Sequence, residues 1–365
     1  MKILYIRRKP ALISGGSRCQ DANREMLNRI AGISNVFEYR KGEYTKNRFQ
    51  RNLNRLFIGR YNDFTLWDFL SICSIIKKER IEILFFDGSR IGYLAKKIKN
   101  RFPHLKVITF FHNVEYQYVL NVISRLSTYK RLLAQIDLKN VYCGEKSACE
   151  VSDIIISLND RDAVMIQEKY GRYPDAVFPI SLKDNFDSKY LFPHNHNIPI
   201  GLMVGSNFPP NANGLDWFIR KVLPFVKMKL YVIGSGMDSL LSKYSDVKNL
   251  EIIGYVDDLK EYYAKADFMI MPIFEGSGMK VKTAEALEYG KIIIAAPEAA
   301  VGYTYTDEIK VCKNAEEFIK TITSLKFAPD WNGFMQSSRD IFMKYYSYEA
   351  LENNYKNLLS RFNYI

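Results

Sequence analysis

The sequence predicts an α/β protein of two Rossmann-like domains whose parallel sheets face each other across a cleft. Short, mainly apolar runs, at 2–6, 81–86, 105–111, 200–204, 229–233, 250–253 and 268–273, alternate with helix-forming stretches. A strand that is apolar on both faces belongs inside a parallel sheet covered by helices. Each half also repeats the order strand, glycine-bearing loop, helix, once from residue 2 and again from residue 200. Finally, 365 residues suffice for two cores, and a polar stretch with three prolines, 179–199, lies between the halves. The expected division is a first domain over 1–178, a linker over 179–199, a second domain over 200–345 and a C-terminal helix over 346–365.

Composition narrows the class. An apolar share of 47% and a charged share of 25% are those of a globular protein. Charges interrupt every apolar run well before a membrane-spanning length, and Met1 leads into a strand without a signal-peptide core. A cytoplasmic location is therefore expected. Cys19, Cys73, Cys143, Cys149 and Cys312 are odd in number and lack the paired spacing of a metal site, so they read as reduced thiols. His194 and His196 fall in the polar stretch and read as solvated side chains. No metal site and no cofactor is expected.

In chain order, the first strand leads to Ser14-Gly15-Gly16-Ser17 and a helix over 21–30, the arrangement by which an α/β sheet opens a crevice at its strand ends. From Lys41 to Leu70, Arg48, Arg51, Arg55 and Arg60 are interleaved with Phe49, Phe57, Tyr61, Phe64 and Trp67. This makeup suits a helix lying on an anionic membrane and equally a solvated basic helix on a core. No nucleic-acid module accompanies it, so no nucleic-acid partner is expected. Residues 1–178 hold 31 Lys and Arg against 18 Asp and Glu, whereas 179–365 hold 21 against 22. An anionic surface or acceptor on the first domain is the expected consequence.

The strand at 105–111 ends at His112-Asn113-Val114-Glu115. A histidine at a strand's carboxyl end can face a crevice ligand, or can be structural. Asp160 and Asp162 stand at a helix start and read as cap and first-turn acids rather than metal ligands. In the second half, the strand at 200–204 leads to Gly205-Ser206, and the strand at 250–253 to Gly254-Tyr255-Val256.

The most informative stretch is 268–290. An apolar strand is followed by Glu275-Gly276-Ser277-Gly278, and 279–289 lacks Gly and Pro until Gly290 ends it. Loop and first-turn N–H groups at a positive helix end suit a phosphate. Lys280 and Lys282 add positive charge, and Glu285 can accept hydrogen bonds from sugar hydroxyls. Spacing alone also allows Lys282 and Glu285 to be an ion pair on a surface helix.

The wording Gly276-Ser277-Gly278-Met279-Lys280-Val281-Lys282, then Glu285-Ala286-Leu287 and Gly290-Lys291, resembles family 4 glycosyltransferases of the glycine-serine-glycine branch. His112-Asn113-Val114-Glu115 and the segment from Gly205 resemble that family too. The resemblance implies the GT-B fold and transfer of a sugar, with retained configuration, from a nucleoside-diphosphate sugar to a saccharide acceptor. It implies Glu285 on the donor ribose and backbone of Gly276, Ser277, Gly278 and Met279 on the diphosphate. Lys280 is the candidate catalytic cation, with Lys282 assisting, because the family's basic pair is missing from Gly205 to Leu215. Gly15, Gly16 and Gly205 would border the donor, Tyr255 and Val256 would hold the base, and His112, the second candidate catalytic residue, would face the sugar. Many members carry a first glutamate closer to the second than Glu275 is to Glu285, so either Glu275 or Ser277 fills that place. The resemblance also implies that the last helix packs back on the first domain.

The expected function is thus a hexosyltransferase acting on a lipid-linked saccharide in bacterial surface polysaccharide synthesis, peripheral on the inner face of the plasma membrane. The alternatives are a sugar-nucleotide epimerase on the same fold and a non-catalytic basic protein binding membrane or nucleic acid.

Overall fold

The computed structural model describes residues 1–8, 15–41, 64–123, 126–191, 193–194, 197–304, 306–328 and 330–364. The basic segment with Arg48, Arg51, Arg55, Arg60, Phe49, Phe57 and Tyr61 lies outside the described residues, as does His196. The chain forms two compact units, Met1–Pro179 with Leu351–Ile365, and Ile180–Ala350. Among the described residues, no helix is long and apolar enough to cross a membrane.

Unit 1 holds β1 (Ile3–Arg8), β2 (Val36–Lys41), β3 (Ile83–Asp87), β4 (Lys106–Phe111), β5 (Ile154–Ser157) and β6 (Ala176–Val177). They form one parallel sheet in the order β2-β1-β3-β4-β5-β6. All five residues of β3 are buried, as its apolar run requires. The sequence reading passes over β2 because this edge strand alternates Phe37 and Tyr39 with Glu38 and Arg40, and is half-buried except at the exposed Arg40. The helices are α1 (Gly15–Ala31), α2 (Leu66–Glu79), α3 (Gly92–Arg101), α4 (Glu115–Ile123), α5 (Thr128–Val151) and α6 (Asp160–Tyr170). Gly15 and Gly16 already belong to α1, six residues ahead of the expected helix start. Thr65 and Asp68 form a capping box on α2, and Asp68 also receives the Tyr39 hydroxyl and Lys41 Nζ, each at 2.6 Å. That carboxylate ties the end of β2 to the start of α2.

Unit 2 holds β7 (Ile200–Val204), β8 (Lys229–Ile233), β9 (Leu250–Gly254), β10 (Phe268–Met271), β11 (Ile292–Ala295) and β12 (Ile309–Val311), in the order β12-β11-β10-β7-β8-β9. Every pair is parallel. The helices are α7 (Pro209–Lys221), α8 (Lys260–Lys265), α9 (Val281–Glu288), α10 (Ala315–Ser324), α11 (Gln336–Ile341) and α12 (Tyr348–Arg361), and residues of α12 from Leu351 onward belong to unit 1. Leu215, Phe218, Phe268, Ile294 and Phe318 are among the side chains filling the core between sheet and helices.

His194 corrects the reading of it as solvated. Its side chain is 4% exposed, with Nδ1 2.7 Å from Asp267 Oδ1 and Nε2 2.8 Å from the Ala264 carbonyl. The buried Asp267 also accepts the Ile200 N–H and the Trp331 indole N–H. A buried carboxylate must collect donors, and here His194 of the polar segment, Ile200 at the start of β7 and Trp331 supply them. Ile180, Ser181 and Leu182 are buried as well.

Both strand orders reverse once, between β1 and β3 in unit 1 and between β7 and β10 in unit 2. Crevices for ligands open at the carboxyl ends of strands flanking such reversals.

Candidate functional site

In unit 2, β7 runs into Gly205 and β10 into the loop that carries Gly276-Ser277-Gly278. Strand order thus places two predicted loops on either side of the reversal. Their backbones are tightly constrained. Gly205 N–H donates to Ile233 O at 2.8 Å, Asn207 N–H to Ser235 O at 2.8 Å, and a Cβ added to Gly234 would stand 1.9 Å from Gly205 O. A Cβ on Gly214 in α7 would stand 2.0 Å from Pro272 O, so that helix rests directly on the loop after β10. Gly278 has φ 60°, a left-handed conformation that glycine adopts without strain.

Lys280 precedes α9 at its N-cap. Its ammonium curls back over the loop, donating to Ser277 O at 3.2 Å and Gly278 O at 3.0 Å, and it pairs with Glu298 Oε1 at 2.9 Å. The Tyr303 hydroxyl fixes the same residue from behind, donating to Lys280 O at 2.7 Å. Lys280 therefore braces the glycine loop while keeping its charge beside the loop and the first turn of α9. Those are the N–H groups and cation that a diphosphate requires.

Glu285 on α9 is 6% exposed. Its Oε2 accepts Lys282 Nζ at 2.7 Å and the Tyr263 hydroxyl at 3.3 Å. Tyr263 in turn stacks on Tyr289 with ring centroids 4.5 Å apart. The Lys282–Glu285 pair that spacing allowed does form, but its carboxylate is buried rather than solvated, where orientation is held by packing. Tyr255 and Val256 follow β9, two strands from β7, with the Tyr255 ring 69% exposed. The fold thus brings Gly205, Gly276, Ser277, Gly278, Met279, Lys280, Lys282 and Glu285 to one reversal and leaves Tyr255 and Val256 at the far edge of the same strand-end face. Tyr263, Glu298 and Tyr303 escape the sequence reading, because only chain folding brings them to the loop.

In unit 1, His112 follows β4 and Asp87 ends β3, side by side in the sheet. His112 Nε2 bonds Asp87 Oδ1, and Asp87 Oδ2 accepts the Tyr5 hydroxyl. Burial alone would discharge the imidazole, but the Asp87 charge and hydrogen bond together with Cys19 outweigh it and hold the His112 pKa well above its ordinary value. The turn after His112 is fixed by Glu145, fully buried, whose carboxylate accepts Ser89 Oγ, the Glu115 and Tyr116 N–H groups and the Tyr170 hydroxyl. Burial raises this carboxyl to about 7 against those donors. Gly15 and Gly16 open α1 beyond β1, at the unit 1 reversal. Among the described residues, no group of three His, Cys, Asp or Glu could hold a metal ion.

Residues 198–326 match the family model of group 1 glycosyl transferases. None of the curated proteins matches the chain. Among solved structures, sucrose-phosphate synthase of Thermosynechococcus elongatus is similar over 99% of both chains, with TM-score 0.69 and 14% identity. HepE of Anabaena, in complex with UDP and glucose, is similar over 99% of this chain and 100% of its own, with TM-score 0.65 and 10% identity. A glycosyltransferase of Rickettsia africae covers 98% of both chains with TM-score 0.65 and 17% identity. The lipopolysaccharide outer core galactosyltransferase WaaB covers 99% of both with TM-score 0.63 and 11% identity. These likenesses give the chain the GT-B fold.

Proposed function

We propose that this protein is a retaining glycosyltransferase of family 4 that moves a hexosyl group from a nucleoside-diphosphate sugar to a saccharide acceptor. The observation that carries the proposal is the strand-end site of unit 2, where a glycine loop, two lysines and a buried glutamate converge inside the segment matched by group 1 glycosyl transferases. The N–H groups of Gly276 to Met279 and the Lys280 ammonium bind the diphosphate, Glu285 accepts from the ribose, and Lys282 holds Glu285 in place. The binding of UDP in HepE supports a uridine donor.

As the acceptor hydroxyl attacks the anomeric carbon on the face from which the diphosphate departs, the sugar–phosphate bond breaks, negative charge grows on the departing diphosphate, and its oxygen takes the hydroxyl proton. Preorganised N–H groups and Lys280 stabilise that charge without needing a metal ion. His112 of unit 1 is the second catalytic residue of this reading. The acceptor is a lipid-linked saccharide of bacterial surface polysaccharide synthesis at the inner face of the plasma membrane. That location is supported by α2, whose first turns expose Leu66 (71%), Trp67 (79%) and Leu70 (49%) on the basic unit.

A thermal-shift panel of UDP-, GDP-, ADP- and dTDP-sugars on wild type and Glu285→Ala tests the donor site. A ligand at a hundredfold its Kd stabilises by about 2.7 kcal/mol. One nucleotide class should stabilise wild type alone; no stabilisation by any of them sinks the proposal.

A further inference from the structure

Asp87 is 2% exposed, and among the described residues its only ionic partner is His112. A carboxylate taken out of water needs a countercharge or several donors, and Asp87 collects both kinds from three places in the fold. His112 after β4 meets Oδ1, Tyr5 of β1 donates to Oδ2, and the Asn23 amide of α1 stands 3.4 Å from both oxygens. The Asn23 carbonyl oxygen accepts the Tyr355 hydroxyl of α12 at 2.9 Å. That bond decides which end of the amide faces Asp87, since only the NH₂ end can donate to a carboxylate.

Tyr5, Asn23 and Tyr355 are each no more than 1% exposed. The rings pack well without their hydroxyls: Phe85 lies 5.6 Å from Tyr5 and 6.3 Å from Tyr355, and Phe178 lies 4.8 Å from Tyr355. Phenylalanine at either position would fill the same volume, so the polar ends serve the network rather than the core.

We propose that Asp87 is the positioning residue of His112, and that Tyr5, Asn23 and Tyr355 fix Asp87, so that the C-terminal helix sets the orientation of an imidazole at the strand ends of unit 1. The role of that imidazole in transfer rests on the function proposed above; the hydrogen-bond chain does not. An ionised carboxylate only accepts, so the proton between the two residues sits on Nε2 and the ring cannot turn without breaking the pair. The other titratable groups facing the pair are Cys19 on α1, Tyr5, and Tyr355, with Arg7 5.7 Å over the Tyr5 ring.

The test is a pH titration of the His112 imidazole by nitrogen-15 NMR in the full chain, assigned with His112→Gln, for wild type, Asp87→Asn, Tyr5→Phe and Tyr355→Phe. Asp87→Asn should move the His112 midpoint to lower pH and mix the tautomers. Tyr355→Phe, which keeps the packing, should move it the same way by less. Identical titrations in wild type and both Phe variants overturn the chain even if Asp87→Asn fails to fold, and an unmoved midpoint in folded Asp87→Asn overturns it directly. With a transferring enzyme, Tyr355→Phe should lower kcat while the donor KM is unchanged, and an unchanged kcat overturns the positioning role. If the NMR shifts appear but no sugar is ever transferred, the pairing is supported and the glycosyltransferase reading fails.

Discussion

Lys280 Nζ lies 2.9 Å from Glu298 Oε1, with both side chains more than four-fifths buried, so the cation that reads as a phosphate ligand is already held by a carboxylate of its own unit. An incoming diphosphate must share or displace that partner. Lys280→Met should therefore weaken UDP binding by about 10- to 100-fold, the worth of a charge-assisted hydrogen bond of roughly 1.5–3 kcal/mol. Glu298→Gln should tighten it, because a neutral amide competes less for the ammonium. Calorimetric titration with UDP checks both; equal affinity in wild type and Lys280→Met removes Lys280 from the site.

Glu285 keeps its shape as Gln, but the amide loses the ion pair with Lys282. Glu285→Gln should weaken nucleotide-sugar binding by about tenfold or more, and free UDP and UDP-sugar should suffer alike if the carboxylate serves the ribose. A loss confined to the UDP-sugar would place Glu285 on the sugar instead.

Gly234→Ala drives a methyl group to 1.9 Å from the Gly205 carbonyl oxygen, backbone that no side-chain movement can relieve. Gly236→Ala meets only Asn207 Cβ at 3.3 Å and pays for its left-handed φ of 76°. The first should destabilise unit 2 by about 3 kcal/mol or more and the second by about 1–2 kcal/mol. Urea unfolding followed by tryptophan fluorescence ranks them; the reverse order would mean the two loops are not in contact.

Glu288 is 2% exposed and accepts the Asn185 N–H at 2.6 Å. Burial raises its carboxyl from 4.5 to about 7. The folded state binds this proton more tightly than the unfolded one, so the contribution is fully present below about pH 4.5 and is lost as pH rises through about 7. The stability of wild type relative to Glu288→Gln should fall across that window by on the order of 3 kcal/mol. Parallel urea curves from pH 5 to 8 measure it, and a constant difference would mean that the carboxyl titrates normally.

Trp67 and Leu70 stand 79% and 49% exposed on α2. Trp67→Ser with Leu70→Ser should reduce flotation with anionic liposomes and leave UDP binding untouched, since the helix belongs to unit 1 and the proposed nucleotide site to unit 2. Equal flotation of wild type and variant would remove this face from the membrane contact.

The alternation of apolar strand, glycine loop and helix already determines two α/β units, and it marks Gly205 and Gly276 to Gly278 as strand-end loops, because buried strands and left-handed turns are dictated by residues adjacent in sequence. The edge strand β2 escapes that reading, since half-solvated backbone does not demand an apolar run. His194 escapes it for the opposite reason: composition reports the average surroundings of a segment, whereas the need of buried Asp267 for donors comes from a residue 73 positions away. Tyr263 on Glu285, Glu298 on Lys280, and Tyr355 on Asn23 across 332 residues are decided only when the strand order is set. Local chemistry fixes which elements form, but hydrogen bonds act over about 3 Å, so the partners of each site residue exist only in the folded chain.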